Sequence, residues 1–427
     1  MRFIAMLPGL LMLIAASNVA AFCGFYVASA DGALTNQASR VVFVRDRQNS
    51  TITMLSDYQG SASEFAMIVP TPYVLKREQV RTVDVQTVDH LSAYSAPRLT
   101  EYFDDDPCNP AMTESVVVED SIVSGAGRAA RIERYRGAAA LGVTIKEEYA
   151  VGDYDIQILA AEQSDGLLTY LTGEGYKVPE GAGPVLQSYI TMKMKFFVAK
   201  VNLSRHSATK AQELPPLQIS FKSRDFMLPI QLGKLNGGAS QDLLLMTLTR
   251  TGQVRIANYG MERLPTDAQV PVFVKQLFPD FYRRLFDRAV GKSGVALEYA
   301  WDMAFCDPCA AAPMTNQELQ ALGVSWLKGG DNAGQDVFVT RLHVRYSQET
   351  MPEDLMLSET RDKSNFQGRY FVRNPFVGAL NCPAGQDYLN EVRARLREEA
   401  VTVQSLTGWD PRKIEKLVRK GLPASYW

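Results

Sequence analysis

The chain has 427 residues, of which 22% are charged, and its formal net charge is −2. This near-neutral balance excludes a general basic field that would hold nucleic acid or an anionic membrane surface. The hydrophobic fraction of 46% is that of an ordinary globular protein, and the length suffices for one large core or for two or three domains.

Residues 1–21 have the layout of a secretory signal peptide. Arg2 supplies a positive start, an apolar stretch runs from Phe3 to Ala16, and small residues end at Ala21. The sequence therefore predicts an exported protein, periplasmic or extracellular, whose mature chain begins at Phe22. No later apolar run is long enough to cross a bilayer, so we expect no membrane span in the mature chain.

The first part of the mature chain is predicted to be rich in β-structure. Short runs of β-branched and aromatic residues, separated by turn-prone segments, predict strands at Val41–Val44, Thr51–Leu55 and Phe65–Val69. Two further strands are predicted at Tyr154–Leu159 and Lys195–Val201. Between them the pattern favours short helices at 164–171 and 184–190.

Pro215-Pro216 marks the clearest break in the chain. It predicts a division after the signal peptide into an N-terminal α+β domain, residues 22–214, and a C-terminal α+β region, residues 217–427. Strands are expected beyond it at Leu217–Lys222, 243–248 and 254–256. Apolar residues at helical spacing then predict a helix within Phe273–Val290.

The last third alternates between strands and helices. Thr315 and Glu318 form a capping box for a short helix. The run Phe338–Tyr346 predicts a strand, and helices are expected at 385–400 and from Pro411 to Gly421. Because the strand runs cluster and do not alternate strictly with helices, the fold class is predicted to be α+β, mostly antiparallel, with short helices and a helical C-terminus.

The cysteines are the main candidates for disulfide or redox chemistry. Five are present, and an odd number in an exported chain leaves one thiol unpaired or bonded to another molecule. The sequence does not fix how they pair. They are Cys23, Cys108, Cys306, Cys309 and Cys382. The Cys306-Asp307-Pro308-Cys309 motif is compatible with thiol–disulfide exchange, but Pro313 delays the next helix, so a structural disulfide is favoured.

Acidic and histidine residues give weaker signals. The carboxylates of Glu101, Asp104, Asp105 and Asp106 are ligands for a hard cation, but their spacing is not that of a calcium-binding loop and favours a solvated turn. His343 lies between two arginines on one strand face, which indicates either anion binding or a solvated face paired with acids on the next strand. The sequence predicts no cofactor.

Several strings resemble a known bacterial family. They are Phe22–Val27, Phe65–Pro70, Ala96–Tyr102, Cys306–Cys309 and Asn365–Tyr370. Together they resemble the exported proteins grouped as domain of unknown function 2330 (DUF2330). The resemblance implies an extracytoplasmic bacterial protein, and it brings no assigned activity, so no catalytic residue follows from it.

No complete catalytic set is recognisable in the sequence. A long, aromatic, β-rich exported chain favours a non-enzymatic binding or assembly protein of the bacterial envelope, whose partner is an unknown envelope protein or ligand. The alternative is an enzyme, either a thiol–disulfide oxidoreductase acting through Cys306 and Cys309 or a periplasmic hydrolase.

Overall fold

The computed structural model describes residues 25–29, 35–59, 64–109, 139–202, 215–235, 240–291, 294–305, 307, 312–327, 334, 336–422 and 426. The predicted signal peptide, Cys23, Cys306 and Cys309 lie outside these residues.

The described residues of the first half of the chain form ten strands and three α-helices. The strands are β1 (Phe25–Ser29), β2 (Thr35–Asp46), β3 (Asn49–Gln59), β4 (Glu64–Thr71), β5 (Val80–Thr82), β6 (Arg98–Phe103), β7 (Val143–Val151), β8 (Tyr154–Ala161), β9 (Tyr176–Lys177) and β10 (Lys195–Asn202). The helices are α1 (Val85–Ser95), α2 (Ser164–Gly173) and α3 (Ala182–Thr191).

The second half contains shorter strands and longer helices. The strands are β11 (Leu217–Lys222), β12 (Met227–Leu228), β13 (Gln241–Thr249), β14 (Val254–Ile256), β15 (Glu262–Arg263), β16 (Ala268–Gln269), β17 (Val295–Asp302), β18 (Phe338–Tyr346), β19 (Leu355–Glu359), β20 (Phe366–Gln367) and β21 (Arg369–Asn374). The helices are α4 (Phe278–Val290), α5 (Asn316–Ala321), α6 (Pro383–Thr407) and α7 (Pro411–Lys420).

Two large sheets organise the molecule. Sheet A has six strands in the order β7-β8-β10-β4-β1-β9, and its described pairs are antiparallel. Sheet B has nine strands in the order β15-β17-β18-β13-β2-β3-β11-β5, with β20 paired to β17. Most pairs in sheet B are antiparallel, but β2–β13 and β15–β17 are parallel.

Both predicted regions, 22–214 and 217–427, contribute strands to sheet B. The parallel pair of β2 and β13 joins them over six residue pairs, from Leu243↔Ser39 to Leu248↔Val44. Strand β11 continues the same sheet on the other side through its ladder with β3. The break at Pro215-Pro216 therefore leads directly into a strand of the shared sheet.

The structure has four layers. The inner faces of sheets A and B bury one common core, which includes Phe43, Ile156, Phe197 and Leu342. Helices α2 and α3 pack on the outer face of sheet A. Helices α1 and α5 pack on part of the outer face of sheet B, and α4, α6 and α7 form a further cluster beside it.

Two small sheets complete the fold. Strand β19 lies between β12 and β14, and β21 lies between β16 and β6 in parallel pairs. Tyr370 and Val372 of β21 pack into the cluster formed by α4, α6 and α7. Among the described residues, no helix is long and apolar enough to cross a membrane.

The predicted α+β class is confirmed, and most of the predicted elements are found. The helix predicted within Phe273–Val290 starts only at Phe278, after a 3-10 turn at 272–275. Pro279 explains the late start, because proline fits only the first turn of a helix. The capping box of Thr315 and Glu318 is present, and Asp410 accepts the backbone N–H groups of Arg412 and Lys413 at the start of α7.

The buried carboxylate of Asp354 connects α3 to the segment before β19. Its Oδ1 accepts the backbone N–H groups of Ile230 and Gln231, at 2.8 and 3.1 Å, and the hydroxyl of Tyr189 at 2.7 Å. Burial raises the pKa of Asp354, and these hydrogen bonds oppose the rise. Because Tyr189 belongs to the outer layer of sheet A, this one oxygen ties three separate segments together.

Replacement of Asp354 by alanine should leave two buried amides and one buried hydroxyl without an acceptor. We expect Asp354→Ala to lower the free energy of unfolding by about 2–4 kcal/mol in urea denaturation. The exposed neighbour Glu353 is the control, and Glu353→Ala should cost less than about 1 kcal/mol. Equal stabilities of the two variants would contradict this role.

Candidate functional site

The candidate site is an apolar cleft of about 520 Å³ between sheets A and B. Sheet B supplies Ile52 and Met54 from β3 and Ile219 and Phe221 from β11, and sheet A supplies Val69 near the end of β4. These side chains face the cleft because alternate residues of a strand point to the same side. The volume lies within the range of small-molecule sites.

Methionines form an unusual share of the lining. Met54 and Met194 are buried, Met227 is half-buried, and Met192 at the mouth is 51% exposed. Methionine has an unbranched, polarizable side chain that adapts to different apolar shapes. The cleft is therefore suited to a flexible apolar ligand.

The mouth of the cleft carries three cations. Lys193, Lys222 and Arg224 line it and are exposed. In the part of the chain that the structure describes, no carboxylate lies within salt-bridge distance of any of them, and Asp225 is the only acid in the described lining. Among the described lining residues, three cations thus stand against one acid, which leaves a net positive charge.

Buried Arg45 fixes the segment that carries this mouth. Its guanidinium donates to the carbonyls of Ser223 and Arg224, both at 3.0 Å, and to Ser50 Oγ at 2.6 Å. It also lies 5.3 Å from the ring centre of Phe226, in cation–π geometry. Two charge-assisted hydrogen bonds therefore hold the turn between β11 and β12, and the third joins Arg45 to Ser50 of β3.

A second, polar groove of about 1000 Å³ adjoins the cleft. It lies on the outer face of β3 and β11, where Thr51 Oγ1 and Ser220 Oγ are 3.0 Å apart. The cleft and the groove share Tyr73, Phe221 and Lys222. The two cavities thus meet at the edge of sheet B.

Of the predicted cysteine candidates, the structure joins Cys108 and Cys382 in a disulfide. The bond links the segment after β6 to the first turn of α6, across 274 residues of sequence. Cys306, Cys309 and Cys23 lie outside the described residues. Asp307, inside the predicted redox motif, is buried and accepts hydrogen bonds from Tyr299 OH at 3.0 Å and Gln367 Nε2 at 2.8 Å.

The four candidate acids at 101–106 have separate partners. Lys275 donates to Glu101 at 2.7 Å, and this hydrogen bond holds the pKa of Glu101 below its usual value. Asp104 accepts from Arg395 and from Tyr388, both at 2.7 Å. Asp105 is exposed, and Asp106 accepts the backbone N–H of Cys108. No three His, Cys, Asp or Glu side chains of the described residues are grouped to hold a metal ion.

The row of charged residues on β18 is paired with acids on both neighbouring strands, but Arg341 and His343 are buried and Arg345 is half-buried. Arg341 Nε donates to Glu298 of β17 at 2.5 Å, and Arg345 binds Asp242 of β13 through two nitrogens at 2.7 and 2.9 Å. His343 lies between these pairs, 3.1 Å from Glu298 and 3.2 Å from Asp242. The prediction of a solvated face was wrong, because α4 covers it.

Helix α4 reaches this network through three side chains. The ring of Phe286 stacks on His343 with centroids 3.9 Å apart, and the hydroxyl of Tyr282 donates to Glu298. Asp287 forms an ion pair with Arg345. The network therefore fixes α4 to the outer face of sheet B and has the character of a structural element.

The network favours the charged states of His343, Glu298 and Asp242. Burial disfavours the imidazolium of His343, but hydrogen bonds to Asp242 and Glu298 outweigh it and raise the pKa of His343. Burial likewise opposes ionisation of Glu298 and Asp242. The charge of Arg341 nevertheless lowers the pKa of Glu298, and hydrogen bonds from His343 and Arg345 lower the pKa of Asp242 to about 2.

The fold and cleft define a four-layer α+β protein with a ligand-sized cavity between its two sheets. A model of the bacterial family described as uncharacterized protein conserved in bacteria (DUF2330) matches residues 17–358, and the chain belongs to that family. No curated protein and no solved structure shows significant similarity to the chain.

Loss of the disulfide should destabilise the protein measurably. We expect Cys108→Ser or Cys382→Ser to lower the free energy of unfolding by roughly 2–5 kcal/mol, because the crosslink restricts the unfolded chain. Urea denaturation without reductant measures this effect. Peptide mapping of the unreduced wild type should recover the two cysteines in one linked peptide, and recovery of both as free thiols would contradict the assignment.

The buried histidine should make stability depend on pH. Since folding raises the pKa of His343, its contribution should be present below the unfolded pKa of about 6.5 and be lost as pH rises through the folded value. We expect His343→Gln to lower the free energy of unfolding by about 3–5 kcal/mol near pH 5 and by less near pH 9.

Two further comparisons make this test specific. The coupling energy between His343→Gln and Glu298→Gln, from a double-mutant cycle, should decrease over the same pH range. The contribution of Asp242 should instead persist at high pH and disappear only as pH falls toward about 2. A loss on His343→Gln that does not change with pH would contradict a charged His343.

Proposed function

We propose that this chain is an exported bacterial protein that binds an anionic amphiphile in the cleft between sheets A and B. The observation that carries this proposal is the combination of an apolar cavity of about 520 Å³ with three cations at its mouth that lack a described carboxylate partner. The apolar part of the ligand enters between the sheets, and its anionic group remains at the mouth.

The apolar lining supports an alkyl chain as the buried part. Burial of each methylene group contributes about 0.8 kcal/mol. The methionines Met54, Met192, Met194 and Met227 offer an adaptable surface. The aliphatic side chains of Ile52, Val69 and Ile219 add further apolar surface to the cleft. Such a surface selects for length and hydrophobicity more than for one fixed shape.

The cations support an acid as the exposed part. Lys193, Lys222 and Arg224 come from two different loops and one strand end, and all three are exposed residues that line the same cleft. An ammonium or guanidinium group without a partner gains a charge-assisted hydrogen bond when a carboxylate or phosphate arrives. Their joint position at the mouth of an apolar cleft favours a ligand with both properties.

Two observations support export. Residues 1–21 have the pattern of a secretory signal peptide, and the Cys108–Cys382 disulfide is typical of proteins that fold in an oxidising compartment. The alternative of a thiol–disulfide oxidoreductase depends on Cys306 and Cys309, which lie outside the described residues, and it stays a prediction.

Titration of the mature protein with straight-chain carboxylic acids tests the proposed function. Isothermal titration calorimetry with octanoic, decanoic and lauric acid should give affinities that rise with chain length, by about fourfold for each added methylene. Replacement of Lys193, Lys222 and Arg224 together by glutamine should weaken lauric acid binding by about tenfold.

The matched control is Lys416→Gln, which removes an exposed lysine from α7, far from the cleft in sequence. It should leave lauric acid binding unchanged within about twofold. Absence of binding by all three acids would contradict the proposed function. Binding that the triple variant leaves unchanged would contradict the assignment of the anionic group to this mouth.

A further inference from the structure

The groove and the cleft meet at the edge of sheet B, at the point where the edge strand β5 ends. Strand β5 pairs with β11 only from Leu217 to Ile219, so Ser220 and Lys222 have no partner in β5. The side chain of Gln79 continues the edge there, donating to the carbonyl of Ser220 at 2.8 Å. Tyr73, Phe221 and Lys222 line both cavities at this edge, which brings the two cavities within reach of one molecule.

The segment after α5 forms one wall of the groove, and a glycine lets this segment lie close to Thr51 of β3. Gly323, which follows α5, has a φ of +107°, and a Cβ built there would lie 2.6 Å from Cγ2 of Thr51. Arg81 holds this wall by donating to the carbonyl of Ala321 at 3.0 Å. The groove is thus a formed cavity, bounded by fixed segments on both sides.

The groove has the chemistry of a site for a neutral, hydroxyl-rich group. Its charged lining residues are balanced, with two acids, Asp46 and Glu78, and two bases, Arg81 and Lys222. Its hydroxyl and amide groups both donate and accept hydrogen bonds. Apart from that of Tyr73, the described ones are those of Asn49, Ser50, Thr51, Gln79, Ser220, Gln320 and Ser325.

Three aromatic residues, Tyr73, Phe221 and Trp326, also line the groove, together with Val44, Val74 and Val324. Tyr73 is 55% exposed at the junction with the cleft, and the indole of Trp326 lines the groove near Ser325. Aromatic rings offer an apolar face beside polar groups, which suits the C–H faces of a sugar ring. The balanced charge gives a polyanion no advantage, and a lining that mixes polar groups with apolar faces matches the mixed surface of a sugar ring.

We propose that the groove binds a saccharide head group that belongs to the same amphiphile as the alkyl chain in the cleft. Lys222 lines both cavities, so it lies where the anionic group would join the two parts of the ligand. The ligand class is then an acidic glycolipid, with its tail between the sheets and its sugar on the outer face of β3 and β11. This inference rests on the proposed function.

The test uses two amphiphiles with the same alkyl chain, lauric acid and n-dodecyl-β-D-maltoside, below their critical micelle concentrations. Ser325→Trp places a large side chain in the groove at an exposed position. It should weaken binding of the maltoside by about tenfold and leave lauric acid binding within about twofold. Ser405→Trp, at an exposed position of α6, is the control and should affect neither ligand.

The outcomes separate the two proposals. If the maltoside does not bind, or if Ser325→Trp leaves its affinity unchanged or weakens both ligands equally, the groove is not a saccharide site. If lauric acid does not bind while the maltoside binds and responds to Ser325→Trp, the saccharide site stands and the proposed preference for an anionic amphiphile fails.

Discussion

The mutual burial of the inner faces of sheets A and B is the interaction on which the rest of the structure depends. Residues from both halves of the chain meet in that one core, from Phe43 and Phe197 to Leu342. Val69 and Pro70, near the end of β4, line the cleft together with Ile52 and Ile219 of sheet B. Strand β4 pairs with β10 through Pro70 as far as Thr71, and Pro72 follows. A proline cannot donate the hydrogen bond that would extend the strand.

The charged residues fall into two groups: those that are paired within the fold and those that can pair with a ligand. Beneath α4, the charges of Glu298, His343 and Arg341 are buried and matched, and such a network is costly to break because any member left alone becomes an unpaired buried charge. At the cleft, Lys193 and Lys222 are exposed, and no described carboxylate lies within salt-bridge distance of either of them. A charged ligand therefore gains more binding free energy at the cleft, where these cations have no described carboxylate partner, than at the paired charges beneath α4.

Local patterns of the sequence predicted the local structure well. The alternation in Phe338–Tyr346 indicated a strand with Arg341, His343 and Arg345 on one face, and the structure confirms it. The same alternation does not predict whether another element packs on that face. Burial there depends on α4 and on a bulge between Leu297 and Tyr299 that turns Glu298 toward the network, and neither is visible in a run of nine residues.

The candidate site could not be predicted because its parts are distant in sequence. Met54, Met194 and Met227 belong to β3, to the turn before β10 and to β12, and only the packing of two sheets brings them together. The pairing of Cys108 with Cys382 was open for the same reason. The division at Pro215-Pro216 rested on local composition, which carries no information on the long-range pairing of β2 with β13.

A crystal structure of the mature chain grown with lauric acid would test the central claim most directly. The account predicts the alkyl chain between Ile52 and Val69, with its carboxylate within hydrogen-bonding distance of Lys193, Lys222 or Arg224. An empty cleft at a saturating concentration of lauric acid, or an acid bound only elsewhere on the protein, would contradict it.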